Sequence, residues 1–133
     1  MVGVTGDEPR TRFLNVDLDV RGSNDLTPLT AAVGDALYVL HHEAGVFASF
    51  ELNESLATPA EAINKLIDHL EKLPTPARDA WDRADKRSFN VGIGAADRPY
   101  STEYALPPQT LQRVVSIGGE IAITIYAPET AKP

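Results

Sequence analysis

Cysteine is absent from the 133 residues, which excludes disulfides, thiolate metal sites and cysteine nucleophiles. Nothing in the chain calls for an oxidising compartment, and a reducing cytoplasm is the expected location. No apolar run approaches the roughly 20 residues that cross a bilayer. The opening segment carries Asp7 and Glu8 where a secretory leader is basic. The expectation is a soluble, non-secreted cytoplasmic protein with no membrane partner.

Basic residues are also in short supply. Twelve Lys and Arg face nineteen Asp and Glu, for a net charge of -7, so the field of the whole molecule repels a polyanion and nucleic acid is excluded as a partner. The excess sits in residues 1–57, where Arg10, Arg12 and Arg21 stand against Asp7, Glu8, Asp17, Asp19, Asp25, Asp35, Glu43, Glu51 and Glu54. Such a half can attract a basic partner or a cation, although mild acidity is also an ordinary route to solubility. Catalytic vocabulary is missing as well. There is no G-x-S-x-G, no phosphate loop and no dinucleotide fingerprint, and Gly92-Ile93-Gly94 is too short to cradle a phosphate. No catalytic residue and no cofactor are expected.

What is present is alternation. Leu14, Val16, Leu18 and Val20 interleave with Phe13, Asn15, Asp17 and Asp19, the period of a strand with one buried face. Gly22-Ser23-Asn24-Asp25 ends it. Thr27-Pro28 opens a helix whose stripe is Leu29, Val33, Ala36, Leu37 and Leu40, with His41-His42-Glu43-Ala44-Gly45 as its stop. Val46–Leu52 reads as the second strand. Thr58-Pro59-Ala60-Glu61 is a capping box with proline just inside, and Ala62, Ile63, Leu66, Ile67, Leu70 and Leu73 mark the buried face of the helix that follows. A shorter helix, Ala77–Arg83, carries Trp81 as a core anchor. Ser88–Gly94 is the third strand, 108–117 a helix stopped by Gly118-Gly119, and Glu120–Tyr126 the last strand, with Ile121, Ile123 and Ile125 on one face.

Leu14–Leu18 followed by Leu26–Thr30 resembles Phe89–Ile93 followed by Leu106–Thr110, as if a strand and a proline-started helix were repeated. Two such halves predict an α+β, ferredoxin-like split βαβ fold. It would be a four-stranded antiparallel sheet with helices on one face and an extra helical insertion between strands 2 and 3. One domain spans 11–127, with flexible tails at 1–10 and 128–133.

Chemistry-bearing residues then gather on the sheet face away from the helices: Asn15, Asp17, Ser49, Glu51, Asn90, Thr124 and Tyr126, with Asp19 and Ser88 beside them. Carboxylates, amides and hydroxyls on one surface can take a hard cation or a polar small molecule, or the face can be solvated or covered by another subunit. Phe13 and Phe47 on this face favour a homodimer. A second candidate surface is the charged helix, with Arg78, Asp82 and Arg83 offered to a protein partner and Arg78 paired to Asp82 at i,i+4. His41 and His42, adjacent on the expected helix, diverge by about 100° and make no metal site with His69; no metal is expected.

The closing run Leu111–Tyr126, with Ile117-Gly118-Gly119-Glu120-Ile121-Ala122-Ile123-Thr124-Ile125-Tyr126, resembles an uncharacterised bacterial family of small domains of unknown function. These likewise open on an alternating strand and end in a helix, a Gly turn and an apolar strand finishing in Tyr. The resemblance implies a bacterial cytoplasmic accessory protein and brings no catalytic residues with it. Together these readings give a non-enzymatic interaction or accessory domain, immunity-like, that binds a protein partner or itself. The alternative is a small-molecule or cation-binding module, or a small enzyme, working on the open sheet face.

Overall fold

A computed structural model describes residues 9–23, 25–34, 37–43 and 47–128. The strands are β1 Arg12–Arg21, β2 Leu37–Glu43, β3 Phe47–Leu52, β4 Lys86–Gly94 and β5 Glu120–Tyr126. The helices are α1 Thr27–Ala32, α2 Pro59–Glu71, α3 Thr75–Asp82 and α4 Pro108–Ser116. The fold is α+β, but the sheet is five-stranded and mixed, in the order β2-β3-β1-β4-β5. This overturns the four-stranded antiparallel ferredoxin-like arrangement. In a split βαβ unit a strand of the other half lies between the two strands of each half. Here β3 pairs directly with β1, antiparallel, and β5 pairs directly with β4, parallel. The two halves therefore differ: the second is an unsplit βαβ crossover, and the first returns through the hairpin β2-β3.

The extra strand comes from the segment expected to prolong the first helix. Gly34 takes φ +69, a conformation that ends a helix, and α1 stops at Ala32 after six residues. Leu37-Tyr38-Val39, rich in strand-favouring side chains, then pairs with Phe50-Glu51-Leu52 of β3. His41-His42-Glu43 is thus the end of a strand, not of a helix. Ala36 and the expected stop at Gly45 lie outside the described residues.

A β-bulge between Phe13 and Asn15 changes the facing of the first residues of β1. The extra residue breaks strict alternation, so Phe13 packs against the core with its ring 6.3 Å from that of Tyr104, while Leu14 is 41% exposed beside Gly94. Beyond the bulge the period holds, and Val16, Leu18 and Val20 are all buried.

The core lies between that face and the helices. Val16, Leu18, Val20, Phe50, Phe89 and Val91 of the sheet meet Leu29 of α1, Ile63, Leu66, Ile67 and Leu70 of α2, Trp81 of α3 and Val114 of α4. The α2 capping box forms as its sequence specifies, with Thr58 Oγ1 accepting from the Glu61 amide at 3.2 Å and Glu61 Oε1 accepting from the Thr58 amide at 3.2 Å. Trp81 is fully buried, and its indole N–H donates to the Ile117 carbonyl at 2.9 Å. Arg87 of β4 donates to the carbonyls of Trp81, Ala84 and Gly118 at 2.8–2.9 Å, capping the C-terminal ends of α3 and α4. At the turn into β5, a Cβ on Gly119 would lie 2.7 Å from the Phe89 ring, so only glycine lets the chain pass.

β5 departs from expectation in its burial. Ile123 and Ile125 register with Val91 and Ile93 of β4, yet they are 62% and 66% exposed, and only Ile121 of the three packs against the core.

Leu18→Ala should cost about 2–4 kcal/mol, the range for emptying a filled core site. Leu14→Ala should cost less than about 1 kcal/mol, because the bulge has already released that side chain. Urea midpoints check both; equal losses would contradict the bulge.

Candidate functional site

Past the bulge, the period of β1 turns Asn15, Asp17 and Asp19 away from the helices. Because β1 is central, these side chains have neighbours on both sides. Asp17 stands opposite Glu51 of β3 and Asn90 of β4; Asp19 stands opposite Ser49 and Ser88. The expected face is therefore a contiguous surface, with Asp17 at its middle.

Hydrogen bonds tie these groups into three sets. The Asn15 amide nitrogen donates to Asp17 Oδ1 at 3.2 Å and to Glu51 Oε2, bridging two carboxylates on adjacent strands. The Ser49 hydroxyl donates to Asp19 Oδ1 at 2.7 Å. On the other side the Thr124 hydroxyl donates to Asn90 Oδ1 at 2.8 Å. Gly92 lies against the first set: a Cβ there would approach Asn15 Oδ1 to 3.2 Å, a tight contact, and the Tyr126 ring to 3.7 Å, an ordinary one.

The Asn15 end opens into a cleft of about 840 Å³ whose walls include Arg12, Asn15, Asp17, Tyr38, Glu51, Glu54 and Tyr126. Tyr38 and Arg12 were missed by the sequence reading. Tyr38 had been assigned to a helix, and the signal that could have moved it is Leu-Tyr-Val shortly after Gly34, a strand-forming triplet behind a helix breaker. At the opposite end Arg21 stacks over the Phe47 ring at 4.7 Å, a cation–π contact that satisfies one of the two aromatics thought to call for a partner. Phe13, the other, has left this face.

Electrostatics single out Asp17. Burial raises its pKa from 3.8 to about 6, and the like charges of Asp19 and Glu51 push in the same direction. Carboxylates held together with oxygen acceptors outward suit a positively charged donor such as an ammonium or a guanidinium. Among the described residues no group of three or more His, Cys, Asp or Glu is placed to hold a metal ion, and the Asn15 amide donates to both Asp17 and Glu51.

The second candidate surface is separate from the first. In α3, Arg78 Nε pairs with Asp82 Oδ1 at 3.2 Å, and Arg83 is the C-cap residue. Lys86 has left the helix and meets Glu120 at 3.6 Å across β4 and β5. Of the histidines, His41 and His42 fall in β2 and His69 in the last turn of α2. Among the described residues no helix is long and apolar enough to cross a membrane. Comparison of the chain with protein-family models, with curated proteins and with solved structures finds no match.

Because the folded pKa of Asp17 lies above its unfolded value, the unfolded state holds fewer protons between about pH 4 and pH 6, and folding gains stability as pH falls through that window. The penalty is full above pH 6 and absent below both values. After solvent screening it is on the order of 1 kcal/mol. NMR titration of the Asp17 carboxyl carbon should give a midpoint near 6, and Asp17→Asn should remove this component from the pH dependence of stability. A midpoint near 4 would contradict the burial.

Proposed function

We propose that the protein is a non-enzymatic cytoplasmic interaction domain that offers the open face of its sheet to a partner bearing basic side chains. The observation that carries this reading is the row Asp17, Asp19 and Glu51, drawn from adjacent strands onto the face opposite the helices, with Asp17 raised to about 6. A half-buried carboxylate in repulsion with two others is costly to keep, and a cation from a partner relieves that cost directly. The chain's charge of -7 adds steering toward a basic partner.

The cleft favours a second reading. Its Arg12, Asp17 and Glu51, with Tyr38 and Tyr126, offer both charge signs and two ring surfaces, which suits a small zwitterionic or amine-bearing molecule. In that case the same carboxylates act as the anchor. The accessory role in bacteria implied by the resemblance of the closing run is compatible with either partner.

Binding of an arginine-rich peptide, followed by NMR shift perturbation, should map to residues 15–19, 49–51 and 90. It should weaken as salt rises and as pH falls through 6. Asp17→Asn together with Glu51→Gln should lower affinity at least tenfold. Equal affinity in that double variant, or shifts confined to α3, would refute the proposal.

A further inference from the structure

We infer that β5 is a self-association edge, through which two copies join antiparallel about a twofold axis into one continuous sheet, with the two α4 helices meeting beside it. This surface is distinct from the open face and does not depend on the reading given to that face.

The two ends of the sheet are treated differently by the sequence. β2, at one end, carries a register irregularity between Val39 and His41, a device that discourages another strand from adding on. β5, at the other end, pairs in unbroken register with β4 from Glu120 to Tyr126. From Ile121 to Tyr126 it holds no charged residue and no proline. Its outward N–H and C=O groups meet no described strand, which makes a strand the natural occupant.

The side chains above that edge fit the same occupant. Ile123 and Ile125 are 62% and 66% exposed on the helix side of the sheet. On α4, the element that precedes β5 in the chain, Val115 is 73% exposed and Leu111 42%, so strand and helix each carry exposed apolar groups. The only charge of α4, Arg113, is committed inward to Asp68 and Glu71 of α2 at 2.7 and 3.0 Å. In a molecule of charge -7, two copies repel at most approaches; β5 from Ile121 to Tyr126 carries no charge, and Glu120 at its start is paired with Lys86. A twofold pairing centred on Ile123 sets Ile121 against Ile125 of the second copy and Ile123 against itself, so the surface is its own complement.

Sedimentation and light scattering over a concentration series should show a species of twice 14.4 kDa. Ile123→Lys puts like charges across the axis and should return the mass to that of one chain. Mixing Ile123→Lys with Ile123→Glu should restore the doubled mass, a rescue that nonspecific apolar adhesion would not give. Should Ile123→Lys fail to fold, Val115→Lys on α4 provides the same reading. Asp17→Asn, on the open face, should leave the mass unchanged, which separates failure here from failure of the proposed function. A single-chain mass at several hundred micromolar, a doubled mass that survives both lysine variants, or a doubled mass only after removal of residues 129–133 would overturn the inference.

Discussion

Every other feature of the fold depends on the double commitment of β1. As the middle strand, paired on both sides, it must place Val16, Leu18 and Val20 under the helices and leave Asn15, Asp17 and Asp19 on the opposite face. The apolar side is the ordinary engine of folding. The polar side has no such return. Carboxylates at the centre of a sheet are poorly solvated by comparison with an edge, and the raised pKa of Asp17 is the direct expression of that. Asn15 and Ser49 offset part of the cost by donating to the carboxylates.

The helical layer is arranged so that β1 can remain this constrained. Arg87 and the Trp81 indole lock the ends of α3 and α4 to one another by bonds to backbone carbonyls. Asn64 of α2 donates to the buried Thr110 hydroxyl of α4, and Arg113 closes the same contact with ion pairs. Polar groups in this layer join helix to helix, whereas those on the open face join neighbouring strands, β1 to β3 and β4 to β5.

What the sequence made legible was whatever rests on local rules. The capping box at Thr58, the alternation of β1 beyond Asn15, the Gly118-Gly119 stop and the apolar strand after it are each specified by a few adjacent residues. The sheet order was not legible, because pairing depends on long-range competition between strands. The short likeness between Leu14–Thr30 and Phe89–Thr110 pointed to a symmetry the pairing does not have. Two further differences have local causes: the apolar stripe from Leu29 to Leu40 runs on across Gly34, where the helix has ended and the chain turns into β2, and one bulge residue at Leu14 exchanges the facing of Phe13 and Leu14. Within the site, Asn15, Asp17, Glu51 and Asn90 are brought together because they lie beyond the bulge, where period 2 still governs. Tyr38 and Arg12 could be placed only once β2 and the bulge were known.

The central claim is that the open-face carboxylates serve recognition and are held there against the stability of the fold. The most direct test is the urea midpoint, at pH 7.5, of a variant carrying Asp17→Asn, Asp19→Asn and Glu51→Gln. Neutralising the row removes mutual repulsion and a desolvation penalty while keeping side-chain size, so the midpoint should rise above that of the natural chain. A midpoint that falls would show that the carboxylates, through Asn15 and Ser49, hold the sheet together, and would contradict the account.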